Sequence, residues 1–183
     1  MNPIIDALTQ SQVDLYRAHM AYVIDIGLLG ITPKEAGAEG FAETYQTFGD
    51  PLTENLLHYL QPKVEETYGK KLTPTYSFWR RYHQGQDCLP HKDRPSCQVS
   101  ISLNLGGEGG HDWAFYVEEQ KVSLEIGQAV LYKGCEEEHW RNSLEYKNHY
   151  QIFLHYIETS GHFYPQFKYD CRPGLYYSPA PPR

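Results

Sequence analysis

Cysteine is scarce in this chain. Cys88, Cys97, Cys135 and Cys171 are the only four in 183 residues, too few for a disulfide scaffold of this length. In a cytosol they are reduced thiols. Long apolar runs are also missing. The longest, "MAYVIDIGLLGI", carries Asp25 and is too short to span a bilayer. The opening residues "MNPIIDALTQ" lack the basic start and apolar core of a secretory leader, so the expectation is a cytoplasmic protein with no membrane partner. Positive charge is in deficit: 16 Lys and Arg against 23 Asp and Glu give a net charge of −7. That balance argues against nucleic acid, whose backbone is gripped by cations.

What is present suits one folded domain. Hydrophobic residues make up 40% and charged residues 21%, a balance that folds rather than stays disordered. Tyrosine is abundant at 16. The chain changes character near residue 72. Before it, Val13, Tyr16, Met20, Val23 and Ile24 recur at near-helical spacing over 11–28. "TPKE" at 32–35 has the form of a capping box, with Thr32 as cap and Glu35 reaching back. In "DPLTENLLHYLQPKVEETYG", Asp50 caps, Pro51 takes the first position and Gly69 stops the helix. Pro62 is a candidate kink.

After residue 72 short β-rich runs alternate with turn residues. The candidates are 74–82, 97–105, 112–117, 121–126, 128–133 and 150–157. The expected fold is mainly β with N-terminal helices: a helical layer over 1–71, a sandwich or barrel of strands over 72–158, and an aromatic tail over 159–183. The tail is either a lid over a pocket or packing against the helices, and its last residues, "SPAPPR", read as an extended end.

The chemistry centres on "DCLPHKDRPSC" at 87–97. In an extended segment residues two apart share a face, so His91 and Asp93 can converge on one ion. His139, in "GCEEEHWRN" after the strand "QAVLYK", is the candidate third ligand. Two histidines and a carboxylate on one face of an octahedron leave three positions open, the arrangement of non-haem Fe(II) oxygenases. A capped surface turn at His91 and Asp93, and a strand-end histidine at His139, are the structural alternatives. Cys88-x-x-His91 with Cys135-x-x-x-His139 also offers the ligand set of a structural zinc site, but it leaves Asp93 without a role.

Taken together, "YHQGQDCLPHKDRPSCQVSISLNLGG", "WAFYV", "GQAVLYKGCEEEHWRN" and "YQIFLHYI" resemble the Fe(II)/2-oxoglutarate-dependent dioxygenases. The likeness is to the prolyl 4-hydroxylase-like branch, in a bacterial or phage-type subgroup, and it covers roughly residues 72–158. It implies a double-stranded β-helix (jelly-roll, cupin-like) core. It also implies Fe(II), 2-oxoglutarate as cosubstrate, O2, and hydroxylation of a peptide or small molecule. His91, Asp93 and His139 would be the iron ligands, and Tyr82 would face the cosubstrate. One feature departs from the family: the Arg or Lys usual at the start of the last strand is absent, and His149 stands there. Arg141, two residues after His139, is the expected partner of the remote carboxylate, assisted by His149, with Arg80 as a third option. A neutral imidazole cannot make the paired hydrogen bonds of a guanidinium. The departure leaves room for a cupin-like metal-binding protein without oxygenase activity.

Overall fold

A computed structural model of the chain describes residues 1–28, 31–32 and 44–176. Among the described residues, two α-helices and eleven strands follow one another as β1 (Ile4–Asp6), α1 (Gln10–Asp25), β2 (Ile31–Thr32), β3 (Thr44–Phe48), α2 (Pro51–Tyr68), β4 (Leu72–His83), β5 (Cys88–His91), β6 (Val99–Asn104), β7 (Phe115–Val117), β8 (Gln120–Val122), β9 (Gln128–Tyr132), β10 (His139–Arg141) and β11 (Asn148–Glu158). All pairings are antiparallel, in a seven-stranded sheet ordered β1-β9-β6-β11-β4-β3-β2 and a four-stranded sheet ordered β5-β10-β7-β8. Phe115, Val117 and Val122 of the small sheet pack with Val130 and Tyr132 of the large one.

Helix α2 follows its sequence signals closely. The Asp50 carboxylate accepts from the N–H groups of Leu52 and Thr53, and Gly69 ends the helix in the left-handed region at φ 83°, where a side chain would be strained. Pro62 does not break it. Pro62 and His58, whose carbonyl the proline leaves without a donor, are both exposed, so water can serve that carbonyl. The opposite face buries Leu56, Leu57, Leu60 and Val64 against the large sheet. Helix α1 starts on a capping box of Thr9 and Gln12 and adds Val13, Tyr16, Met20 and Ile24 to the same core.

The large sheet is amphipathic by alternation. On β11, Ile152, Leu154 and Tyr156 join the helix-side core. His149, Gln151, Phe153 and His155 take the other face, opposite Tyr82, Arg80, Phe78 and Tyr76 of β4.

The N-terminal part is not purely helical. Ile4 pairs with Val130, and β3 pairs with β4 from Tyr45↔Arg81 to Phe48↔Phe78. These strands extend the large sheet at both ends, and their partners are remote in sequence. Thr32, read as a helix cap, pairs with Thr44 in a short strand, and the rest of that expected helix start, 33–43, lies outside the described residues. No helix among the described residues is long and apolar enough to cross a membrane.

Candidate metal centre and its cavity

A cavity of about 230 Å³ opens between the sheets, and both of them line it. His91 ends β5 and His139 begins β10, and the two are direct cross-strand partners. Cross-strand partners project to one face, so the imidazoles meet with ring centroids 4.3 Å apart. Two residues beyond His91, the Asp93 N–H donates to the Gly134 carbonyl at 2.8 Å. That bond turns the Asp93 carboxylate toward the pair. His91 Nε2 lies 3.6 Å from Asp93 Oδ1, and His139 Nε2 lies 3.6 Å from Asp93 Oδ2.

At that distance neither contact is a hydrogen bond. Asp93 Oδ2 is buried and has no hydrogen-bond partner, a costly state for a carboxylate oxygen. Ligand atoms each about 2.1 Å from a common ion lie 3 to 4 Å apart, so one cation between the three side chains resolves the cost. All three ligand atoms fall within 4.8 Å of one another.

The outer nitrogens support the same reading. His91 Nδ1 is 2.8 Å from the Leu89 carbonyl, and His139 Nδ1 is 3.0 Å from the Glu137 carbonyl. A carbonyl only accepts, so each Nδ1 carries a proton and each Nε2 is the nitrogen turned to the site. The electrostatics also call for a cation. Burial pushes the Asp93 carboxyl up, but the two imidazoles outweigh it and hold it well below the usual carboxylate range. Burial pulls His91 down, but Asp93 and Cys88 outweigh it and lift it to about 10, so the place beside His91 Nε2 draws positive charge, either a proton or a metal ion that displaces it.

Cys88 lines the cavity, but its Sγ is 3.9 Å from His91 Nδ1, the nitrogen committed to Leu89. Cys135 donates to the Arg94 carbonyl at 3.1 Å. Neither joins a ligand cluster with the histidines, so the structural zinc alternative does not form.

Arg141 lies two residues from His139, lines the cavity and is 3% exposed. Its guanidinium packs over the rings of Trp113 and Phe115, 4.8 and 5.0 Å from their centroids, and donates to the Trp113 carbonyl. No described carboxylate pairs with it. Burial works against its charge, and a buried cation of this kind needs an anion. Tyr82 and Arg80 also line the cavity.

His149 does not. Its Nδ1 is 2.7 Å from the Tyr146 hydroxyl, and its Nε2 donates to Gln151 Oε1 at 2.8 Å. Burial, and then Arg141, push its pKa down to about 3. It is a neutral imidazole with both nitrogens engaged, and so a poor partner for a carboxylate.

Several lining residues were not singled out in the sequence: Phe48, Tyr76, Phe78, Phe115 and Tyr132. The signal for Tyr76 and Phe78 was available, since both share the alternation face of Arg80 and Tyr82. Phe48 gave no such signal, because its strand became visible only through its pairing with β4. His155 also reaches this region. Its Nδ1 is 2.8 Å from Ser100 Oγ, and it forms a second ligand-type group with Asp93 and Cys97.

No family model matches the chain, and no curated protein matches it. Solved structures do. The viral collagen prolyl hydroxylase of Paramecium Bursaria Chlorella virus-1, in a complex with 2-oxoglutarate, is 16% identical. The match has a TM-score of 0.60 and covers 84% of this chain and 94% of that one. A Pseudomonas putida prolyl-4-hydroxylase is 14% identical at a TM-score of 0.63, covering 86% of this chain and 94% of that one. EctD from S. alaskensis, in its apoform, is 16% identical at a TM-score of 0.66, covering 98% of this chain and 84% of that one. At these identities the likeness establishes architecture, and that architecture is the double-stranded β-helix of the Fe(II)/2-oxoglutarate oxygenases.

Proposed function

We propose that this protein is a non-haem Fe(II)- and 2-oxoglutarate-dependent oxygenase, acting as a hydroxylase. The observation that carries the reading is the convergence of His91, Asp93 and His139, with an orphaned carboxylate oxygen, in a cavity that also holds a buried, carboxylate-free Arg141. The solved structures of like fold include complexes with the same cosubstrate.

His91, Asp93 and His139 would hold the iron by two Nε2 atoms and one carboxylate. When bound, that ion supplies the activation of dioxygen that couples substrate oxidation to decarboxylation of the oxo acid. One oxygen atom enters the substrate as a hydroxyl group, and the other enters succinate, with release of CO2.

The chain's own part is placement and exclusion of water. Arg141 meets the remote carboxylate of 2-oxoglutarate with two parallel hydrogen bonds. Trp113 and Phe115 hold the guanidinium from its faces and keep it dry, which strengthens that pairing. Tyr82 packs edge-on against Trp113, with ring centroids 4.8 Å apart, and walls the same end. Leu89 and Glu137 hold the two imidazoles in the tautomer that leaves Nε2 free.

The test is succinate release from 2-oxoglutarate with Fe(II) and O2, alongside calorimetric titration with Mn(II). The wild type is expected to bind Mn(II) and, once loaded, 2-oxoglutarate. Asp93→Ala is expected to bind neither. A wild type that leaves 2-oxoglutarate unbound and unconsumed would overturn the reading.

A further inference from the structure

His155 has a part in no step proposed above, yet it lines the cavity. On β11 it shares the cavity face with Phe153, two residues before it. Its cross-strand partners are Tyr76 of β4 and Ser100 of β6. The Tyr76 ring packs on the imidazole with centroids 4.5 Å apart, and Nδ1 lies 2.8 Å from Ser100 Oγ. The ring is therefore held from both neighbouring strands, and the residue is 5% exposed.

Ser100 fixes which nitrogen carries the proton. Its hydroxyl has one hydrogen, and Oγ donates it to the Cys97 carbonyl at 3.1 Å. A carbonyl only accepts, so both bonds form together only when Nδ1 donates to Oγ. Burial disfavours a second proton on the ring. Nε2 then keeps its lone pair. Among the described residues nothing hydrogen-bonds to Nε2, and it is not one of the fully enclosed orphan atoms. It is a fixed acceptor open to the cavity.

That acceptor stands between two other features. One nitrogen of His155, a carboxylate oxygen of Asp93 and Cys97 Sγ lie within 4.8 Å of one another, so a group held by His155 is next to the proposed iron. On the other side, Phe153, Phe78 and Phe48 continue the cavity wall across three adjacent strands, Phe78 opposite each of the other two. All three are only half-buried. Apolar rings facing the inside of a concavity are surface that a bound molecule covers.

We propose that His155 is a specificity-determining residue for the substrate. It selects a small apolar molecule that offers an uncharged O–H or N–H donor to Nε2 and lays its apolar body on Phe48, Phe78 and Phe153. This rests on the oxygenase reading above and names the substrate chemistry for it. An ether or a tertiary amide of the same shape has no hydrogen to give and leaves the acceptor unpaired.

The test is calorimetric titration of Mn(II)-loaded protein, with and without saturating 2-oxoglutarate. The probes are two matched pairs: 3-phenylpropan-1-ol with its methyl ether, and 3-phenylpropanamide with its N,N-dimethyl form. In at least one pair the donor is expected to bind about fivefold or more tighter than its blocked partner, and the pair that shows it tells whether the donor is a hydroxyl or an amide. His155→Phe keeps a ring but no acceptor and is expected to erase the preference. His155→Gln places an amide oxygen near the position of Nε2 and is expected to keep part of it. Both are expected to leave Mn(II) and 2-oxoglutarate affinity within about threefold of wild type. Equal binding within both pairs, no binding of either donor, or a preference that survives in His155→Phe would overturn the proposal. So would loss of Mn(II) in both variants, because His155 would then belong to the metal. A wild type that takes up no 2-oxoglutarate defeats the oxygenase reading instead. The matched pairs with metal alone then still decide whether His155 selects a donor.

Discussion

Gly134 has no side chain, and Asp93 occupies the room one would take. A Cβ there would lie 2.5 Å from Asp93 Oδ2 and 2.5 Å from the Cys97 carbonyl oxygen. Gly134→Ala must therefore displace the segment that carries Asp93, the proposed carboxylate ligand. Its expected cost is roughly 1–3 kcal/mol of stability, with weaker Mn(II) binding, read by urea unfolding and calorimetry. Arg141 gives the contrasting case. Among the described residues it has no carboxylate partner, so Arg141→Met breaks no ion pair there; it loses the bond to the Trp113 carbonyl and the packing of a cation on Trp113 and Phe115, and is relieved of a buried charge. Stability should stay within about 1 kcal/mol of wild type. Binding of 2-oxoglutarate should fall by at least about 30-fold, because truncating one side of a buried charge pair costs 2 kcal/mol or more. An Arg141→Met protein that unfolds at much lower urea but binds 2-oxoglutarate normally would assign Arg141 to structure. Of the residues proposed for the site, His91 and Asp93 were legible as a pair sharing a face through their spacing of two, and Arg141 through the same spacing from His139. His149 was not. Its face on the last strand was readable, but its enclosure by Trp113, Tyr146 and Gln151 is a tertiary fact.

At the scale of elements, legibility follows how local the determining forces are. Helix α2 was readable from end to end because its cap, its first-turn proline and its stop are neighbours in sequence. Strand β11 was readable because one face meets the helices and the other meets the cavity, which imposes a period of two. Strands β1 and β3 were not readable. They are short, and their partners β9 and β4 are remote in the chain. The aromatic tail was left between lid and packing, and the structure places its described part, 159–176, against α2, β4 and the Arg94 loop. Arg172 donates to Glu54 at 2.6 Å and to the Thr75 carbonyl at 3.0 Å, and lies 5.0 Å from the Phe48 ring centroid. Asp170 pairs with Arg94, which packs on the Tyr76 ring. Phe48 and Tyr76 both line the cavity, so the tail braces its wall. The Glu54 and Arg172 side chains are 0% and 5% exposed. Removing one partner of such a pair strands the other's charge and costs roughly 3–5 kcal/mol. Arg172→Met should therefore lower unfolding free energy by about that much and make the tail accessible to limited proteolysis before the core unfolds.

The whole molecule carries a pH dependence that follows from the neutrality of His149. Burial, then Arg141, hold its folded-state pKa at about 3 against an ordinary value of 6.5. Above 6.5 the imidazole is neutral whether the chain is folded or not, and it contributes no pH dependence. As the pH falls below that value, the unfolded chain takes up a proton that the native protein refuses. Protonation then favours the unfolded state, so stability declines as pH falls through the window from 6.5 to about 3. Within it, one histidine contributes a slope of about 1.4 kcal/mol per pH unit at most. His149→Gln keeps polar groups for Tyr146 and Gln151 but cannot titrate. Its unfolding free energy, measured by urea titration at several pH values from about 4 to 7, should fall less steeply than that of wild type, by up to one bound proton. The two curves should run parallel above pH 7. Parallel curves across the acid range would mean that His149 charges in the folded protein, and that burial and Arg141 do not keep it neutral.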